Sequence, residues 1–439
     1  MKEIIVIGGG LGGCEAAAMG ARLGLKVKLY EMKPERFSPA HTMEGLAELV
    51  CSNSLKSESL ENAQGVLKQE MSIMGSVLLS AAEGARVPAG KALAVDREEF
   101  SRLVTNKLVE LGVEIIRSEM VELPPERPVI IATGPLSSDK LMQNFGGLLG
   151  EENMFFYDAT SPIVYKDSID FDVAYMAARY DKGGADYVNC PMNKEEYENF
   201  HREIIASEKT PLREFEKIPY FEGCMPVEEI ASRGVDTLAF GPMRPVGLID
   251  PKTGKRPHAV LQLRQENKEG TLFNLVGFQT RLTHTEQKRV FSLIPGLSHV
   301  RFARFGNIHR NTYINSPELL DDTLELKGEK GVFVAGQLTG VEGYIESAYT
   351  GLLAGLNAAR MVLGKEFLSP PPGSMGAGLI KHLHEGGAGK KFMPMNANFG
   401  ILETPLPGGK RLRGKEKKAF QAEFATRATK EWWQNTLES

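Results

Sequence analysis

Two groups of residues in this sequence have types and spacings suited to chemistry. The first is the run Gly8-Gly9-Gly10-Leu11-Gly12-Gly13, followed at Glu31 by a carboxylate. Glycines at this spacing make a cradle for a pyrophosphate. Gly8 permits a tight turn, Gly10 lets the backbone approach the phosphates, and Gly13 lets a following helix lie close to the preceding strand. The helix N-terminus then offers unpaired N–H groups and the positive end of its dipole to the phosphates. Glu31 is placed to accept a hydrogen bond from a ribose hydroxyl. The second group is the four cysteines, Cys14, Cys51, Cys190 and Cys224. They are too widely spaced for a zinc knuckle and too few for a disulfide framework, so they read as free thiols. Eight histidines without an HExxH spacing give no case for a metal.

The elements needed to position the glycine run are legible around it. An apolar strand, Ile4 to Ile7, enters it, a helix with Ala16, Ala17, Ala18 and Ala21 leaves it, and a second strand, Lys26 to Tyr30, ends on Glu31. That order of strand, glycines, helix, strand and acid defines a dinucleotide site. A motif this near the N-terminus suits FAD proteins whose flavin domain is completed by distant segments, and two such segments exist. Val129-Ile130-Ile131-Ala132-Thr133-Gly134 reads as a buried strand and turn. Gly331-Val332-Phe333-Val334-Ala335-Gly336-Gln337 reads as another, leading through Gly340 and Gly343 into a small-residue helix from Ser347 to Arg360. The N-terminal end of that helix is expected near the flavin, with Gly336 and Tyr344 as contacts.

Residues from about Ser161 to Asp322 differ in texture, mixing short alternating strands with acidic helices such as Asn193 to Ser207. The expected fold is α/β, a Rossmann-type FAD-binding domain of glutathione-reductase-like form with an inserted α+β substrate domain. The expected divisions are 1–160 for the first part of the FAD domain, 161–322 for the insert, and 323–439 for the completion and a basic C-terminal segment. Ser369-Pro370-Pro371-Pro372-Gly373 marks a break within the last part.

The chain has 439 residues, 42% hydrophobic and 25% charged, with a net charge of −4 and no apolar run long enough to span a membrane. With an N-terminus that runs straight into a strand, this favours a cytoplasmic protein with no cleaved signal. The acidic balance argues against a nucleic-acid partner, but its distribution does not. Between Lys410 and Lys430 lie eight basic residues (Lys410, Arg411, Arg413, Lys415, Lys417, Lys418, Arg427 and Lys430) against Glu416 and Glu423. That segment is either a solvated helix face or an RNA-facing patch. Arg281, His284, His309 and Arg310 lie in polar, loop-like stretches suited to an anionic tail or a phosphate.

With these motifs the chain resembles the folate- and FAD-dependent tRNA (uracil-5-)-methyltransferases, shorter siblings of the large flavoproteins that modify wobble uridines. The likeness covers nearly the whole chain. It is carried by the glycine run, by Leu49-Val50-Cys51-Ser52-Asn53-Ser54-Leu55-Lys56, by Phe221-Glu222-Gly223-Cys224-Met225-Pro226, and by Val334-Ala335-Gly336-Gln337-Leu338-Thr339-Gly340-Val341-Glu342-Gly343-Tyr344. The two cysteine motifs are its specific part. The resemblance implies methylation of uracil in the T loop of tRNA, with methylenetetrahydrofolate as one-carbon donor, FAD as carrier and reductant, and NADPH or NADH as the source of hydride. It also implies two catalytic thiols. Uracil C5 is a poor nucleophile until a thiolate adds at C6, a role that falls to Cys224. Cys51 falls close to the flavin, where it would hold or protect the one-carbon unit or move a proton. Cys14 and Cys190 are left as structural.

Three other functions share parts of this pattern. A wobble-uridine enzyme of the longer class carries a longer C-terminal helical region than the roughly seventy residues after Pro372. An NAD(P)H-dependent disulfide reductase or monooxygenase fits the same fold, but a reductase would require two closely spaced cysteines. A flavin-binding scaffold without chemistry would not consume NADPH in response to folate and tRNA.

Overall fold

The computed structural model describes residues 3–149, 154–181, 184–211, 225–386, 392–405 and 412–438. Continuous apolar runs place the central sheet. Strands β1 (Glu3–Ile7), β2 (Lys26–Glu31), β3 (Glu114–Arg117), β4 (Val129–Ile131) and β11 (Val332–Val334) pair in parallel in the order β11-β4-β1-β2-β3. Ile4 to Ile7, Val129 to Ile131 and Val332 to Val334 are all buried, as strands covered on both faces must be.

Helix α1 (Leu11–Arg22) leaves the glycine run and packs against α4 (Tyr344–Leu363). The contact is backbone to backbone. A Cβ added at Gly351 would lie 2.1 Å from the Gly12 carbonyl oxygen, and one at Gly355 would lie 2.6 Å from that of Ala16. Small residues on both helices therefore bring two N-termini together at one end of the sheet. We expect Gly351→Ala to force them apart at a cost of about 1–3 kcal/mol or more. Thermal melts should show a lowered Tm together with weaker flavin retention; an unchanged melt would mean that the helices tolerate separation. Helix α2 (Ala63–Ile73) packs on α4, and α3 (Arg97–Glu110) packs on α1. Buried Glu15 of α1 accepts from the N–H groups of Val77 and Leu78, and buried Glu70 of α2 from those of Met375 and Gly376. Both carboxylates thus satisfy the orphan donors of a neighbouring helix start.

A second, antiparallel sheet is formed by β5 (Ile163–Tyr165), β6 (Tyr175–Ala177), β7 (Tyr187–Met192), β8 (Ala259–Gln265), β9 (Leu272–Leu275) and β10 (Phe302–Arg304), in the order β6-β7-β8-β9-β5-β10. It has its own core, including Val188, Leu261, Phe278 and Phe291, and the helix Lys194–Ala206 carries a capping box from Asn193. His309 and Arg310, read from sequence as loop, lie instead on a strand, Ile308–Tyr313, paired antiparallel with Met154–Ala159. Helix α5 (Gly414–Glu438) packs on α2. Among the described residues no helix is long and apolar enough to cross a membrane.

Candidate active site

The C-terminal ends of β1, β4 and β11 open onto a cleft with about 1070 Å³ of empty space, open solvent included. Gly8 has φ +107°, and a Cβ there would sit 2.4 Å from the Ala132 carbonyl oxygen. A Cβ at Gly13 would lie 1.8 Å from the Gly8 carbonyl oxygen, so α1 crosses β1 at a distance that excludes any side chain. Gly12 is confined by Gly336 and Ser347, which bring the third segment against the glycine run. Gly10 differs: a Cβ built there meets nothing within 4 Å. It borders the cleft together with Gly8, Gly9, Leu11 and Gly12. Gly10 is also the N-cap of α1, with no side chain capping the helix. The first N–H groups of α1 are therefore available to an anion, in a cradle that a side chain would fill.

Glu31 is buried at the end of β2 and borders the same cleft. One of its oxygens accepts from the Gly9 N–H at 2.8 Å, the other from the Lys33 N–H at 2.9 Å. The carboxylate is thereby fixed, with lone pairs left for a further donor. Gly336, at φ +78°, donates its N–H to Thr350 Oγ1 at 2.8 Å. These residues fit the diphosphate and ribose of a dinucleotide.

Cys51 is half-buried on the loop before the strand Ser54–Ser57. Its Sγ lies 3.7 Å from the Ala159 carbonyl oxygen. The Tyr344 hydroxyl accepts from the N–H of Cys51 at 2.8 Å and of Ser52 at 3.0 Å. Tyr344 also borders the cleft, so the first residue of α4 links the Cys51 loop to the glycine cradle. Burial, and next the nearby Cys51, push its phenol up. Glu342, two residues earlier, accepts from Gln337 Nε2 at 2.5 Å. Burial, then Asp158, then Cys51 hold its carboxyl well above the usual range, which favours a neutral acid.

Cys224 lies outside the described residues. The chain is described again from Met225, ahead of the helix Val227–Ala231. Cys14 is buried and donates to the Gly9 carbonyl at 3.3 Å, and burial pushes its thiol up. Burial likewise raises Cys190 to about 12. Neither is poised to react. Arg281 is ion-paired with Glu229 at 2.7 Å, and His284 stacks on Phe305. Burial, with Arg304 adding to it, lowers His309 to about 4, so its imidazole is neutral near pH 7. Among the described residues no group of three or more His, Cys, Asp or Glu side chains is placed to hold a metal ion.

Sequence reasoning missed Arg97, Arg264 and Glu266. Arg97 of α3 donates to the Leu49 and Val50 carbonyls and pairs with Glu266, while Arg264 of β8 reaches Ser52 and Asn53. Glu342, by contrast, stands inside a motif that had been singled out.

The family described as Glucose inhibited division protein A matches residues 3–366. A protein of Syntrophus aciditrophicus named Methylenetetrahydrofolate--tRNA-(uracil-5-)-methyltransferase TrmFO is 53% identical over 436 residues, 99% of this chain and 98% of its own. This chain belongs to the TrmFO family. A TrmFO of Acetivibrio thermocellus is 54% identical over 429 residues, 97% of each chain. The crystal structure of Aquifex aeolicus GidA superposes with a TM-score of 0.73 at 17% identity, covering 99% of this chain and 73% of that one. At that identity the likeness speaks for the fold, and the Rossmann-type α/β class expected from the sequence is the class found for this TrmFO-family chain.

Proposed function

We propose that this chain forms 5-methyluridine in the T loop of tRNA, taking the carbon from methylenetetrahydrofolate, with FAD in the cleft and NADPH or NADH as reductant. The observation that carries the reading is 53–54% identity, over 97–99% of the chain, with proteins named for a folate-dependent transfer to tRNA uracil. As a family member the chain is a methyltransferase. When bound, the flavin supplies carriage of the one-carbon unit and the hydride that completes the methyl group. The chain's own part is to hold the diphosphate on Gly8 to Gly13 and the uncapped start of α1, and to offer Glu31 to the ribose. Gly336 and Tyr344 border the same cleft. Cys224 adds to uracil C6, and Cys51 acts at the flavin end, presented by Tyr344. Residues 161–322, which contain the antiparallel sheet, form the substrate-facing insert of a cytoplasmic enzyme.

The test is to incubate the protein with methylenetetrahydrofolate, NADPH and unmodified tRNA, and to look for 5-methyluridine. Label in the folate methylene must appear in the product. Label arriving only from S-adenosylmethionine, or no product, would sink the reading. The wobble-uridine alternative predicts product at the anticodon instead.

The basic segment has a definite site to test. Lys410 and Arg411 lie outside the described residues, but Lys415, Lys418, Arg427 and Lys430 of α5 border a groove shared with Leu60, Glu61 and Asn62. We expect glutamine at all four to weaken tRNA binding and to flatten the slope of log affinity against log salt by about 3. Flavin reduction by NADPH should be unaffected. Unchanged tRNA affinity at low and high salt would make this face a solvated one.

A further inference from the structure

The loop Leu49-Val50-Cys51-Ser52-Asn53 has no regular secondary structure, yet side chains from three remote elements bond to it. Arg97 donates to the Leu49 and Val50 carbonyls, and Tyr344 receives the Cys51 and Ser52 N–H groups. Arg264 on β8 donates through Nη2 to Ser52 Oγ at 2.7 Å and through Nε to Asn53 Oδ1 at 2.9 Å. The Asn53 amide in turn donates to the Val95 and Gln265 carbonyls, each at 3.0 Å. Arg97, Arg264 and Glu266 are all buried, which leaves two guanidinium groups against one carboxylate. Burying charge in this way is a costly means of holding a loop, and apolar packing would stabilise it as well. What the guanidinium forks add is direction: planar donors fix both the position and the angle of the groups they bind.

We propose that Arg264 is a positioning residue for Cys51, tying the thiol-bearing loop to the antiparallel sheet so that the thiol is held at one fixed angle beside Val50, which borders the cleft. This rests on the reading of Cys51 as a catalytic thiol. Arg264→Gln keeps a hydrogen-bonding side chain but loses the fork. A misplacement of this kind costs about 100-fold in kcat for methyl transfer. The KM for tRNA, flavin content and rate of flavin reduction should stay at the wild-type values, and Arg264→Lys should recover part of the loss. Cys51, located by peptide mapping, should label faster with iodoacetamide in the glutamine variant because its loop is released. Wild-type methyl transfer and wild-type labelling in Arg264→Gln would overturn the proposal. So would a loss of methyl transfer that merely tracks loss of flavin. If Arg264→Gln does not fold, Ser52→Ala removes one arm of the clamp by deleting a hydroxyl. A fall in kcat and faster Cys51 labelling in that variant support the proposal; wild-type values for both refute it. If Cys51→Ala keeps full turnover, the catalytic reading of Cys51 fails, while the labelling still shows whether Arg264 orients the thiol.

Discussion

Cys224→Ala and Cys51→Ala are each expected to abolish 5-methyluridine formation, but at different steps. Without the Cys224 thiolate nothing adds to uracil C6, C5 never becomes nucleophilic, and no covalent tRNA adduct forms. Flavin binding and reduction persist in that variant. On the proposed roles Cys51→Ala should leave the C6 nucleophile in place and fail later, because the thiol whose backbone N–H is held by Tyr344 would no longer hold, shield or deprotonate the one-carbon unit. tRNA carrying 5-fluorouracil at the target position separates the two. It traps a thiol adduct once C6 has been attacked, so the Cys51 variant traps and the Cys224 variant does not. The reverse pattern would exchange the roles. Loss of trapping in Cys14→Ala or Cys190→Ala alone would refute the assignment, and the burial of both thiols already speaks against that outcome.

Gly10→Val is expected to empty the flavin site proposed in the cleft. Among the glycines of the run, Gly10 is the position where an added Cβ meets no atom within 4 Å, so a side chain can start there without displacing the fold. The new side chain then occupies the space that a diphosphate needs at the uncapped start of α1. The protein should purify folded and colourless, with a melting curve close to that of the wild-type apoprotein and no measurable methyl transfer. Gly13→Val is the contrasting variant. There the Cβ falls 1.8 Å from the Gly8 carbonyl oxygen, and the expected result is loss of the fold itself. A yellow Gly10→Val protein with full flavin content would place the cofactor elsewhere.

The two variants also show what was legible in the sequence. Gly8 and Gly13 announce their places because the backbone packing there depends on the absence of a side chain, which a sequence records directly. The runs at Ile4, Val129 and Val332 announce a parallel sheet because burial on both faces removes any polar alternation. Arg97 and Arg264 give no such signal. An arginine opening an amphipathic helix looks solvated, and Arg264 meets Asn53 across 211 residues of chain. His309 and Arg310 misled because a polar run such as His-Arg-Asn-Thr lacks apolar alternation, whereas the strand it forms pairs along only one edge, with Met154–Ala159. Arg281 looked like an anion ligand, but its charge is already committed to Glu229.

The parallel sheet has a consequence for biogenesis. Its edge strand β11 is contributed by Val332–Val334, and the helix that meets α1 follows it. During synthesis from the N-terminus, β1, β2, β3 and β4 emerge long before β11 does, so β4 waits with an unpaired edge while the entire antiparallel sheet is made. The glycine run emerges more than three hundred residues before the wall that Gly336 and Tyr344 give its cleft. High contact order of this kind makes closure slow relative to the local folding of the antiparallel sheet. Closure of the cleft is therefore a late event in the life of the chain, and a ligand bound in the cleft would draw the closed sheet forward through mass action.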